Sequence, residues 1–279
     1  MDGFLMGNVL DHSLFMQDSK KFMGLSHAVM QFNCLYNGSN IIQDDIFSIL
    51  VNYARQNQKV LDIFRFPTKD DDFCALTCVQ KGRIFVYINS WIPLSNQIFA
   101  AAHELYHIWC FIEEKDGSIL KKGSFLSAAA MDEEVTSRED KEANAFAGLL
   151  LVPANALHEQ MQIYGIPRDD QSLEDIIRLM AIFSVPYKAI LLRLYEEKYM
   201  NVDSVRKFLA VEKDMLKKEI GYMLDADRWQ RRTPEILQMG SLKQLIENNI
   251  EFGLLTDSRA KDDNEIFRHI LQRYGRDRG

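Results

Sequence analysis

The segment His103-Glu104-Leu105-Tyr106-His107 constrains this chain more than any other. The stretch from Ala101 to Trp109 reads as helix, with an apolar stripe at Ile98, Ala102, Leu105, Trp109 and Ile112. On a helix, residues four apart share a face, so the two imidazoles reach one point. Two histidines held in this way bind zinc, and the carboxylate of Glu104 beside the first is placed to act on water. The residues alone therefore point to a zinc hydrolase, a class in which peptidases are the commonest members. His103 and His107 fall beside the apolar stripe, where ligands gain rigidity from the core behind them.

The rest of the chain fits a catalytic protein and excludes other classes. With 279 residues it has room for one large domain or two smaller ones. A net charge of −7 leaves no basic excess to neutralise phosphates, so direct nucleic-acid binding is not expected. Binding to a protein that itself binds DNA stays open. No apolar run reaches membrane-spanning length, and Met1-Asp2-Gly3-Phe4 lacks the basic start and apolar core of a secretory signal, so the expected location is cytoplasmic. Cys34, Cys74, Cys78 and Cys110 are scattered. Cys74 and Cys78 are too far apart for a C-x-x-C pair, and all four are expected to be reduced, buried thiols.

Along the chain, residues 1–40 carry helical apolar spacing broken near Asn37-Gly38, and 41–56 reads as a helix. Phe73 to Val79 and Arg83 to Asn89 read as strands of a hairpin through Gln80-Lys81-Gly82. Ser95 is the expected N-cap of the motif helix. Residues 117–137 read as a loop with an acidic patch at Asp132-Glu133-Glu134, and a second strong helix runs from Arg138 to Val152, stopped by Pro153. Further helices are expected at 171–183, 186–198, 202–224, 241–252 and 263–274. The division expected is an N-terminal helical segment (1–40), a catalytic core (41–200) and a C-terminal helical extension (201–279).

A catalytic zinc takes three protein ligands and keeps one position open. His12, His27, His158 and His269 have no supporting pattern, whereas helix 138–152 offers Glu139, Asp140 and Glu142. At about 100° per residue, Ala143, Phe146, Ala147, Leu150 and Leu151 define its apolar side. Asp140 falls at one edge of that arc and Glu139 within it, while Glu142 lies furthest away and is expected to be the most solvated. Asn144, one turn beyond Asp140, is placed to hydrogen-bond a ligating histidine. The order of preference for the third ligand is Asp140, Glu139, Glu142. Tyr106 lies on another face of the motif helix and reads as packing, with help to the reaction's oxyanion as the remote alternative, and Trp109 and Phe146 read as core.

Two separated motifs now stand in order: Ala102-His103-Glu104-Leu105-Tyr106-His107, and Asp140-Lys141-Glu142-Ala143-Asn144-Ala145-Phe146-Ala147-Gly148-Leu149-Leu150-Leu151-Val152-Pro153. Together they resemble the ImmA/IrrE metallopeptidase family. The stretch Phe183-Ser184-Val185-Pro186 leading to Leu191-Leu192-Arg193-Leu194 resembles the segment that closes the family's catalytic core. Phe252-Gly253-Leu254-Leu255-Thr256 is weakly similar to C-terminal extensions of longer members. The likeness covers roughly residues 41–200. The family's glutamate ligand, four residues before the asparagine, falls here on Asp140, one methylene shorter. The resemblance implies an α+β fold, a zincin-like core of helices packed on a small mixed sheet. It also implies site-specific cleavage of a transcriptional repressor, in stress responses or the control of mobile elements.

The expected chemistry is metal-assisted amide hydrolysis, with His103, His107 and Asp140 holding Zn2+ and Glu104 as the general base. The rival is a regulatory or partner-binding module in which the zinc site is structural or inactive. Its surface would be the extension, where Arg228, Arg231 and Arg232 flank Trp229. The reading preferred for that tract is a solvated helical surface capping the core.

Overall fold

The computed structural model describes residues 8–36, 39–114, 124–127 and 137–274. Five strands form one mixed sheet: β1 (Val60–Phe66), β2 (Phe73–Gln80), β3 (Arg83–Asn89), β4 (Ser124–Ser127) and β5 (Gln238–Met239), in the order β4-β2-β3-β1-β5. β1 runs parallel to β3, and every other neighbouring pair is antiparallel. The turn between β2 and β3 is the two-residue loop Lys81-Gly82, with φ of 50° and 77°. Two positive φ values in succession are the mark of a type I′ turn, whose twist matches that of the flanking strands.

β1 had no counterpart among the expected strands. The chain leaving it must pass over the end of β3 to begin β2, because β3 lies between them. Asn89, fully buried at the end of β3, fastens this crossing. Its Oδ1 accepts from the backbone N–H groups of Thr68 and Trp91, and its Nδ2 donates to the carbonyls of Thr68, Asp70 and Phe73. One side chain thereby satisfies five backbone groups that no strand ladder reaches.

The helices preceding the motif are α1 (Asn8–His12), α2 (Leu14–Gln17), α3 (Ser19–Tyr36) and α4 (Ile46–Gln56). The motif helix is α5 (Leu94–Ile112), and the acidic helix is α6 (Arg138–Leu151). There follow α7 (Ala154–Ile163), α8 (Leu173–Phe183), α9 (Tyr187–Glu196), α10 (Val202–Leu209), α11 (Lys213–Tyr222), α12 (Leu224–Gln230), α13 (Leu242–Glu251) and α14 (Asp257–Tyr274). The fold is α+β, a helical core on a small mixed sheet with helices continuing C-terminally.

α5 is central. Every residue from Gln97 to Ile108 is buried, so this helix is enclosed on all sides and not merely along its apolar stripe. It packs against α4, α6, α12, β2 and β3. One hydrophobic cluster runs from Leu10 to Trp229 and includes Phe22, Leu25, Val29 and Phe32 of α3.

Several expectations need correction. Ser95 is not the N-cap: α5 begins at Leu94 behind Pro93, whose φ of −51° is already helical in sign and size. The Ser95 hydroxyl instead accepts from Gln230 Nε2, and the free N–H of Leu94 donates to the Arg231 carbonyl. The loop expected over 117–137 contains β4, which pairs with β2; the acidic patch Asp132-Glu133-Glu134 lies outside the described residues. The helix expected over 202–224 is two helices, the first capped by the Asn201 side chain. None of the four cysteines is in a disulfide, but Cys34 is exposed and Cys78 only half-buried, because only Cys74 and Cys110 face the core. Trp229 is buried, not a solvated surface residue, while Arg231 pairs with Asp227, and Arg232 pairs with Asp71 and lies over the Trp91 ring.

Candidate metal centre

His103 and His107 stand one turn apart on α5, each almost completely buried. Their Nε2 atoms face each other at 3.1 Å. From α6, Asp140 Oδ1 lies 3.7 Å from each of them. The point equidistant from these three atoms is about 2.0 Å from each, inside the range of zinc–nitrogen and zinc–oxygen bonds. Two imidazole nitrogens and one carboxylate oxygen also form the donor set of a catalytic zinc. Among the described residues this is the one group of three histidine, cysteine, aspartate or glutamate side chains whose ligand atoms converge.

The packing of α5 on α6 sets this triangle. Ala143, Phe146, Ala147 and Leu150 of α6 are fully buried. The Phe146 ring lies nearly parallel to Trp109, with centroids 5.6 Å apart, and meets Tyr106 at the same separation. These contacts hold α6 in the register that brings Asp140 and Asn144 to the histidines. Asn144 Oδ1 is 2.8 Å from His103 Nδ1. With Nδ1–H donating to that oxygen, the Nε2 lone pair of His103 is left facing the centre.

Asp140 is also the third residue of its helix and belongs to its cap. Ser137 Oγ accepts from the Asp140 N–H at 3.1 Å, and Asp140 Oδ2 accepts from Ser137 N at 3.2 Å and from Ser137 Oγ at 2.8 Å. Burial works to raise the Asp140 carboxyl, but the neighbouring His103 and His107 imidazoles and the hydrogen bonds from Ser137 outweigh it and hold the group well below the usual carboxylate range. It is therefore ionised, as a ligand must be.

The other two acids of this helix do not join the cluster. Glu139 is half-buried in the first turn. Glu142, expected to be the most solvated, is buried. The reason is α3, which lies along the face of α6 that a single-helix projection assigns to solvent. Lys21 of α3 is 3.1 Å from Glu142 Oε2, Arg138 Nε is 3.3 Å from Oε1, and the Tyr106 hydroxyl donates to Oε2. Burial, with Cys110 and Glu142 nearby, pushes the Tyr106 phenol far above its ordinary value, so it remains a donor and is committed to Glu142. Glu104 is fully buried next to His103. Ser137 was missed in the sequence, although Ser137-Arg138-Glu139-Asp140 carries the serine-to-acid spacing of a capping box.

A histidine pair on a buried helix with an acid from the neighbouring helix, on this α+β fold, is the architecture of a metallopeptidase. The family model of the IrrE N-terminal-like domain, a peptidase family, matches residues 44–195, more than half of the chain. The chain belongs to that family. A solved structure described as a Mycobacterium tuberculosis transcriptional regulator aligns with 61% of this chain and 46% of its own, at 16% sequence identity and a TM-score of 0.37. The alignment thus spans less than half of that protein's length. No curated protein matches the sequence. Among the described residues, no helix is long and apolar enough to cross a membrane.

Proposed function

We propose that this protein is a zinc-dependent endopeptidase that cleaves one peptide bond in a specific protein substrate, a helix-turn-helix transcriptional repressor. The observation that carries the peptidase reading is the convergence of His103 Nε2, His107 Nε2 and Asp140 Oδ1 on a point at bonding distance from all three. The repressor as substrate rests on the family resemblance of the two motifs.

His103, His107 and Asp140 would hold the ion. Zinc bound there supplies a Lewis acid that makes water more acidic and polarises a scissile carbonyl. Asn144 fixes the His103 ring so that its Nε2 stays directed at the ion. Glu104 takes the proton of the attacking water and delivers it to the leaving amine. Tyr106 takes no part in stabilising the oxyanion, because its hydroxyl is engaged by Glu142. The enclosure of α5 lowers the dielectric around these charges and strengthens each interaction.

The test is to co-express the chain with helix-turn-helix repressors and to follow their intact masses. Cleavage at one bond by the wild type, abolished by chelation and absent with Glu104→Gln, supports the reading. A wild type that binds zinc and cleaves nothing favours the partner-binding module.

A further inference from the structure

Among the described residues, Ser137-Arg138-Glu139-Asp140 is one of two Ser-x-x-Asp boxes that start helices; the other is Ser172-Leu173-Glu174-Asp175 at α8. Their bonding pattern is the same. In each, serine Oγ accepts from the aspartate N–H at 3.1 Å, while aspartate Oδ2 accepts from the serine N–H and, at 2.8 Å, from the serine hydroxyl. They differ in the other oxygen. Asp140 Oδ1 faces two imidazole nitrogens at 3.7 Å, whereas Asp175 belongs to no such cluster among the described residues.

We propose that Ser137 is a positioning residue for the metal site, fixing one oxygen of Asp140 in the helix cap so that the other is presented as a single-oxygen ligand. This rests on the zinc reading of His103, His107 and Asp140. An aspartate side chain has two torsions, and two hydrogen bonds to Oδ2 fix both before any ion arrives. The ordering cost of that ligand is then met in folding and not in binding, which raises affinity.

The full chain is tested with zinc alone, by competition against a chromogenic chelator. The visible spectrum of the cobalt-substituted protein reports ligand geometry, and melting of the metal-free protein reports the helix cap. Glycine is a good N-cap residue but carries no hydroxyl, so Ser137→Gly separates the two roles. The expected result is zinc binding weaker by about tenfold or more, an altered cobalt spectrum, and metal-free melting close to the wild type. Ser137→Thr restores affinity and spectrum, and Ser172→Gly changes neither. Wild-type affinity in Ser137→Gly overturns the proposal while leaving the zinc reading intact. So does a loss of affinity matched by Ser172→Gly, which marks a general effect of stability. A wild type that binds no zinc overturns both readings.

Discussion

His103 is held at Nδ1 by Asn144, which keeps its Nε2 turned towards the centre that it shares with His107. Glu104, next to it, is the one side chain of the site to which the proposed mechanism gives a proton-transfer role. Replacing it with glutamine keeps shape and burial but removes the base. General-base catalysis contributes roughly 10²–10⁴-fold, so Glu104→Gln is expected to lower the rate of substrate cleavage by at least about 100-fold with zinc content unchanged. Single-turnover cleavage measured beside metal analysis checks this. A variant that cleaves at the wild-type rate would remove Glu104 from the mechanism.

At the scale of elements, the segment after residue 229 is fastened to the rest of the chain at two places, the start of α5 and the strand β1. Residues 230–233 satisfy the start of α5, and Gly240-Ser241 close on β1, where Asp62 Oδ1 accepts from Ser241 N and Oγ. Gly240 has a φ of +52°, and a Cβ added there would sit 3.0 Å from Asp62 Cβ. Gly240→Ala therefore meets both left-handed strain and a collision near the base of a fixed side chain. It is expected to cost at least about 1–2 kcal/mol, read as a lower denaturation midpoint. These elements also mark what the sequence could and could not disclose. The spacing of His103 and His107, the hairpin at Lys81-Gly82 and the helix stopped by Pro153 are local patterns, readable without a fold. β1 is not local. Asp62 and Arg65 interrupt its apolar run, and both are buried because they serve partners far along the chain, Ser241 and Gln97. The burial of Glu142 was hidden for the same reason, since no projection of α6 alone contains α3. Asp140 was readable as the preferred acid, but its tie to Ser137 needed a capping box to be read as part of a site.

At the scale of the whole molecule, the cluster from Leu10 to Trp229 makes α3, the sheet, α5, α6 and α12 one packed body. α13 buries Ile246, and none of the side chains described in α14 is buried. Truncation after residue 241 is accordingly expected to leave zinc binding intact and to lower the melting temperature by only a few degrees, whereas truncation after 223 removes Trp229 and the cover of α5 and is expected to give an unfolded chain. Circular dichroism melts of the two truncations decide this. The most direct measurement of the central claim is a crystal structure of the zinc-loaded protein with anomalous data at the zinc edge. The zinc-peptidase reading predicts one ion about 2.0–2.2 Å from His103 Nε2, His107 Nε2 and Asp140 Oδ1, with its fourth position held by solvent. An ion lying elsewhere, or one closed off by a fourth protein ligand, would contradict it.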